Sequence, residues 1–288
     1  MSFPQLNDWK NTSWSLHQAS MLLGPIHNAV FAPQNNYLHL PMFIEPSGLV
    51  SQKLPQGGYI HVNFKDAAVI YERSNGARDH FPFADHTQAS LLEALLTSLK
   101  QEELASFFDS LESETLAAGL MQKLHADGTR VEFLKLEDVT NTEPLTCDQK
   151  TARDYADVLS GAFTAVARFR GHLNGHMTPI VVWPEHFDLS TLWFHPDNHA
   201  MEDGKPHLNF GFTPYTPGQY EFPYLYAYAY PYPEPFDPPV LPEPAFWNTE
   251  GWRGVVVKYE DLQIQTDPVD FIEALLREIQ EILYTLIR

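Results

Sequence analysis

The chain has one cysteine among its 288 residues, and that single residue, Cys147, excludes any intrachain disulfide framework. A lone thiol fits a reducing compartment, and Asp148 beside it disfavours the thiolate that a nucleophilic cysteine needs. Basic residues are scarce too: 18 Lys and Arg stand against 37 Asp and Glu, a formal net charge of −19. A surface so balanced repels phosphate backbones and anionic headgroups, so nucleic acid and membrane surfaces are poor partners. No apolar run approaches the roughly 20 residues that span a bilayer. Residues Met1 to Lys10 lack the basic stretch and apolar core of a secretory signal, which leads to the expectation of a cytoplasmic protein. Missing as well are a glycine-rich phosphate loop, a nucleophile elbow and a His-Glu-x-x-His helix.

What is present is a globular composition, 44 % hydrophobic and 13 % aromatic, with 23 prolines concentrated in one region. The clearest helix is the last. Ile272, Leu275, Leu276, Ile279, Ile282, Leu283 and Leu286 fall on one face, behind an N-cap at Asp267 and Pro268 at the first helical position. Similar spacing predicts a helix after Asn11 that Gly24-Pro25 stops or kinks. Another carries Leu91, Leu92, Leu95, Leu96 and Leu99 behind an Asp85–Gln88 capping box, and a third runs from Thr146 to near Gly171. Alternating patterns predict strands at Tyr37–Ile44, Tyr59–Phe64 and Ala68–Tyr71, the last followed by an Asn75-Gly76 turn. Further strands are expected at Ile180–Trp183, Leu189–Phe194, Leu208–Phe212, Tyr224–Tyr230 and Gly254–Tyr259.

Consecutive strands on short turns imply antiparallel pairing, so the expected class is α+β: a mainly antiparallel sheet packed against helices. The order reads as two halves, each helix–strands–helix: residues 1–110 and 147–288, joined by a connector over 111–146 with an extra helix at Glu114–Leu124. One compact domain overall is the alternative division.

Thirteen histidines raise the question of a metal. His172/His176 and His195/His199 are each four apart, but Gly171, Gly175 and Pro196 make those segments loops, where histidines are mostly solvated. No metal or cofactor is assigned on this basis. Trp183-Pro184-Glu185-His186-Phe187-Asp188 is more pointed: a turn at a strand end presenting His186 and Asp188 suits general acid–base work, His186 as base and Asp188 as its orienter. Equally, Trp183 and Phe187 can simply anchor a turn. His39 and His61 lie on the polar faces of their predicted strands.

The segment from Pro223 to Pro244 is the most unusual. Tyr224, Tyr226, Tyr228, Tyr230 and Tyr232 recur at period two, one face of an extended chain, with Leu225, Ala227 and Ala229 on the other. Such a row can wall a pocket for a sugar-like or aromatic ligand, or form one side of a core. Prolines from 231 onward then take the chain out of the sheet, and Trp247 and Trp252 bracket Glu250 on its return. The candidate ligand-binding residues are therefore Tyr224, Tyr226, Tyr228, Trp247, Glu250, Trp252 and His39, with His186 and Asp188 as candidate catalytic groups.

These stretches together resemble a bacterial family of uncharacterised proteins, a domain of unknown function. Its pattern is carried by Leu16-His17, Ala32-Pro33, Gly57-Gly58, Trp183-Pro184, His186-Phe187-Asp188-Leu189, Asn209-Phe210-Gly211-Phe212, Pro223-Tyr224 and Glu250-Gly251-Trp252. Its members often have a second histidine where this chain has Glu185. The resemblance implies no activity, cofactor or catalytic residue. Three expectations follow from the residues themselves: first a small-molecule-binding protein with an aromatic-lined pocket, second a hydrolase or isomerase using His186 and Asp188 with metal assistance as an option, third a scaffold whose aromatics are all core.

Overall fold

A computed structural model describes residues 2–101, 115–126, 135–195 and 204–287. Parts of the expected connector, and His199 of the second histidine pair, lie outside the described residues. The class is α+β with two antiparallel sheets, of five and seven strands. The chain divides into two units: one of Leu6–Ala156 with Trp183–Phe187, the other of Met1–Gln5, Asp157–Val182 and Asp188–Arg288.

The first unit opens with helices α1 (Trp9–Met21) and α2 (Leu23–Val30) and continues as a five-stranded meander, β1 (Phe43–Glu45), β2 (Gly48–Val50), β3 (Tyr59–Asn63), β4 (Ala68–Glu72) and β5 (Arg78–Pro82). Each strand pairs with the next, in the order β1-β2-β3-β4-β5. Gly24 and Pro25 fall in the first turn of α2, where a missing N–H costs nothing, so they start a helix rather than stop one. Leu49, Ile60, Val62 and Val69 bury the inner face of the sheet, and α1 packs on β3. The Asn75-Gly76 turn between β4 and β5 is present, with Gly76 at φ 83° and the Arg73 N–H donating to Ala77 O over 2.8 Å.

The predicted strand at Tyr37–Ile44 is corrected. Asn35–Tyr37 is a 3-10 turn in which Asn36 and Tyr37 both adopt φ 54°, and the Leu40 N–H donates back to Tyr37 O over 2.9 Å. Left-handed residues bend the chain out of any ladder, and Pro41 has no N–H to offer one. Only Phe43–Glu45 becomes a strand. His39 consequently sits on no strand's polar face. It is buried, accepting from the Gln34 N–H at Nδ1 (3.2 Å), with Nε2 3.3 Å from Asn28 Oδ1.

Helix α3 (Gln88–Lys100) is capped two residues later than the sequence suggests. Thr87 Oγ1 accepts from the Ser90 N–H (3.2 Å), while Ser90 Oγ accepts from the Thr87 N–H (3.0 Å). Gln88, released from capping, ties three segments together instead. Fully buried, it donates to Gln18 O (3.1 Å) and Asp138 O (3.0 Å) and accepts from the Asn141 N–H (3.0 Å). Helix α4 (Leu116–Ala126) packs on α2 and α3. Helix α5 (Gln149–Arg170) is capped by Asp148, whose carboxylate accepts from the Thr151 N–H over 2.7 Å, rather than by Thr146. Its residues to Ala156 belong to the first unit and those from Asp157 to the second.

The second unit contains β6 (His176–Met177), β7 (Val181–Val182), β8 (Leu189–Phe194), β9 (His207–Thr213), β10 (Tyr224–Tyr230), β11 (Phe246–Asn248), β12 (Gly254–Lys258), α6 (Tyr259–Gln263) and α7 (Pro268–Tyr284). The sheet runs β11-β12-β10-β9-β8-β6, with β7 also on β8. Asp267 caps α7, accepting from the Val269 and Asp270 N–H groups at 3.1 and 3.2 Å, with Pro268 at its start. Helix α7 packs on β9 and β10, and Phe169 of α5 meets Phe210 of β9 edge-on at 4.7 Å. Phe210 stands opposite Ala227, so the helices cover the face bearing Leu225, Ala227 and Ala229. The tyrosines of β10 occupy the other face.

Candidate functional site: the tyrosine face of the seven-stranded sheet

Alternation along β10 and the antiparallel register decide what shares that face. Tyr226 stands opposite Gly211, Tyr228 opposite Asn209, Tyr230 opposite His207 and Tyr224 opposite Thr213 on β9. On the other side Tyr226 stands opposite Val256 of β12. Tyr224, Tyr226 and Val256 form a buried apolar cluster, joined by the half-buried Tyr220, Tyr228, Phe246 and Trp252. The rings touch in sequence: Tyr220–Tyr224 centroids lie 4.6 Å apart, Tyr224–Tyr226 6.4 Å and Tyr226–Tyr228 6.4 Å, the last pair within 10° of parallel. Trp252 closes on Tyr224 at 6.5 Å and on Tyr226 at 6.1 Å.

Every hydroxyl at the centre of this cluster meets a polar group. The Tyr226 phenol donates to Asp188 Oδ2, which immediately precedes β8. Asn209 Nδ2 donates to the Tyr228 hydroxyl over 2.9 Å. The Tyr224 hydroxyl is 2.5 Å from Thr216 Oγ1, and the Tyr220 hydroxyl donates to Asn248 Oδ1 over 2.8 Å. Asn248 in turn donates to the carbonyls of Glu250 (3.1 Å) and Trp252 (2.5 Å), holding the loop that carries Trp252. Burial, and after it the negative charge of Asp188, pushes the Tyr226 phenol well above its ordinary range. Burial pushes Tyr224 up to about 12, with Asp188 adding to the rise. Both phenols stay protonated at neutral pH, and Tyr226 serves as the donor to Asp188. Exposure grows along the strand, from 4 % at Tyr224 to 46 % at Tyr230, so the row runs from core to solvent.

Gly211 makes the Tyr226–Asp188 contact geometrically possible. A Cβ there would overlap the Cζ and Oη of Tyr226 and lie 2.5 Å from Leu189 O. Gly211→Ala is therefore expected to cost about 1–3 kcal/mol by overpacking and to detach Tyr226 from Asp188. Urea unfolding measures the first, and the NMR resonance of the Tyr226 hydroxyl the second; a variant as stable as the wild type with that resonance unmoved would refute the assignment.

Of the residues expected from the sequence, the structure brings Asp188, Tyr224, Tyr226, Tyr228 and Trp252 together. Trp247 stands opposite Val255, on the other side of its strand from Phe246 and Asn248, and donates its indole N–H to Pro239 O over 2.7 Å. It packs edge-on against Phe236 at 5.2 Å, and the Arg253 guanidinium lies 4.5 Å from the same ring, so Trp247 fastens the proline segment. Glu250 contributes its carbonyl to Gln219 and Asn248 while its side chain is exposed. His39 and His186 belong to the five-stranded unit, His186 exposed in the turn that Phe187 anchors. Asn209, Gly211, Thr216, Tyr220 and Asn248 had no role assigned from sequence. Asn209 and Gly211 carried a signal, a polar and a null side chain alternating with Phe210 and Phe212, but the partner strand was needed to interpret it.

Among the described residues no group of three or more His, Cys, Asp and Glu side chains is placed to hold a metal ion. His172 joins Glu273 (3.1 Å) and Arg277 instead, in an exposed ion-pair network. Burial and the Asp148 charge push the Cys147 thiol up to about 12, which leaves it unreactive.

Fold and site thus define an α+β protein with two antiparallel sheets, one of which carries a hydrogen-bonded aromatic face. The chain belongs to the family of unknown function DUF5996, matched over residues 3–282. Neither the curated proteins nor the solved structures contain a match to it. No helix among the described residues is long and apolar enough to cross a membrane.

Proposed function

We propose that this protein binds a small organic molecule on the tyrosine face of the seven-stranded sheet and does so in the cytoplasm. The observation that carries the reading is the Tyr226–Asp188 hydrogen bond: a carboxylate set among aromatic rings, in a row whose exposure rises from Tyr226 at 8 % to Tyr230 at 46 %. Placing an ionisable group in a packed aromatic layer opposes stability, and an apolar pair would fill the same volume at lower cost. Binding sites are where such arrangements recur, because apolar walls with a few oriented polar groups supply both affinity and selectivity. The net charge of −19 argues against nucleic acid and anionic membranes as partners. Asp188 accepts a hydrogen bond from Tyr226, within the aromatic row, and this supports a binding role for the carboxylate.

A thermal-shift screen of chemically diverse small molecules tests the reading. A ligand at about a hundred times its Kd stabilises a protein by about 2.7 kcal/mol, a shift of several degrees. Hits that weaken at least tenfold in Tyr228→Ala and Trp252→Ala support the site. If every hit is indifferent to both substitutions, the tyrosine face is not where ligands bind.

A further inference from the structure

Resting on the binding reading above, we infer that the ligand taken by the tyrosine face is a small organic ammonium, its charged head directed at Asn209 and Asp188 and its apolar part against Tyr226 and Tyr228. Asn209 is only 7 % exposed, and its Oδ1 has no hydrogen-bond partner among the described residues, although its Nδ2 is engaged by the Tyr228 hydroxyl. A buried acceptor left without a donor is rare in folded proteins and calls for an explanation such as an absent ligand.

The geometry places both polar groups on one stretch of the row. Tyr226 and Tyr228 lie within 10° of parallel with centroids 6.4 Å apart, and both lean from β10 across β9. Asp188 is at the hydroxyl tip of Tyr226 and Asn209 at the hydroxyl tip of Tyr228. The carboxylate and the amide therefore stand at the tips of two neighbouring rings of the same row.

Chemistry then selects the class. Two donors near the site are engaged internally, the Tyr226 O–H on Asp188 and one Asn209 N–H on the Tyr228 oxygen. What the face offers a newcomer is acceptors: an amide oxygen, a carboxylate and the electron-rich faces of aromatic rings. An ammonium has donors and no acceptor, so it matches that inventory, and ring faces attract cations. An anion meets the Asp188 charge and a net charge of −19. The cation already on this face of β12, Lys258, is committed elsewhere, its Nζ 5.8 Å from the Phe246 ring and 3.7 Å from Glu260.

The test uses the full chain and matched pairs of probes, 2-phenylethylammonium against its neutral isostere 2-phenylethanol, by isothermal titration calorimetry at neutral pH. The wild-type comparison needs no variant: the ammonium is expected to bind at least tenfold more tightly than the alcohol. Asp188→Asn and Asn209→Ala are each expected to weaken the ammonium tenfold or more while changing the alcohol little, with thermal unfolding confirming that both variants fold. Equal or tighter binding of the alcohol, lost in Tyr228→Ala, would overturn the ammonium and leave the binding site standing. Failure of both probes, together with library hits that ignore Tyr228, would overturn site and ligand class alike.

Discussion

Acidification from pH 7 to pH 4 is expected to cost the five-stranded unit about 5 kcal/mol of stability through two histidines, His27 and His17. His27 is fully buried, with Nδ1 2.5 Å from Leu40 O, and burial lowers its pKa to about 4. His17 is half-buried, donates to Glu185 O over 3.1 Å and stacks on Phe187 at 5.3 Å, and burial again lowers it to about 4. The unfolded chain takes up protons near the ordinary value of about 6.5 while the folded unit does not. Between those two values the unfolded state binds more protons, so stability falls as pH drops and the loss is nearly complete at the folded pKa. At about 1.4 kcal/mol per unit, His27 contributes about 3 kcal/mol and His17, nearer solvent, about 2. His39 is lowered by burial as well and acts in the same direction. Such a loss is comparable with the whole stability of an ordinary domain. Urea midpoints measured from pH 7 down to pH 4 should fall steadily, and His27→Asn, which retains a donor for Leu40 O, should be less stable at pH 7 but show a flatter profile. A wild-type profile that is level across the same range would mean that neither ring is excluded from solvent in the way described.

Phe187→Ala is expected to destabilise the five-stranded unit by about 3–5 kcal/mol. The ring is 1 % exposed and packs against His17 at 5.3 Å, Phe64 at 5.9 Å and Tyr155 at 6.2 Å. Its backbone is left-handed at φ 54°, and its N–H donates to Trp183 O over 2.7 Å, closing the turn. A β-carbon in that region costs about 1–2 kcal/mol, which is less than burial of the ring returns. Phe187→Gly should therefore recover about 1 kcal/mol of the loss seen with alanine, because it relieves the backbone while still lacking the ring. Chemical denaturation of both variants measures the pair; a glycine variant no better than alanine would show that the turn is unstrained.

The two strands Leu189–Phe194 and Tyr224–Tyr230 are legible in the sequence to the residue, because alternation and turn residues on both sides agree. Tyr37–Ile44 alternates just as well and is a strand only from Phe43 onward, since Asn36 and Tyr37 take a backbone conformation that hydrophobic patterning does not encode. Capping residues are displaced by two positions for a related reason. Thr87 and Asp148 compete with Asp85 and Thr146, and which one caps depends on where tertiary packing starts the helix. The tyrosine row itself is visible as a period of two. Its polar companions are not: Asn209 and Gly211 are opposite Tyr228 and Tyr226 only because β9 pairs with β10 in one register, and no local pattern specifies that pairing. His186 and Asp188 look like a pair because they are two residues apart, yet Asp188 bonds Tyr226, 38 positions away along the chain.

The Trp183–Phe187 turn has a consequence for how the protein is made. Neither unit is a continuous stretch of chain: the five-stranded one is completed only by residues 183–187, and the seven-stranded one takes in Met1–Gln5. During translation the helices and meander that emerge first lack the Phe187 ring that fills their centre until that residue has cleared the ribosome. The opening residues wait longer still, since Phe3 stacks on Tyr259 and Pro4 O accepts from the Tyr259 hydroxyl. The five-stranded unit is thus complete only after residue 187 has been made, and the seven-stranded unit only when its later strands are available to Met1–Gln5. A gene cut at any single point would leave at least one half without a piece of its own core.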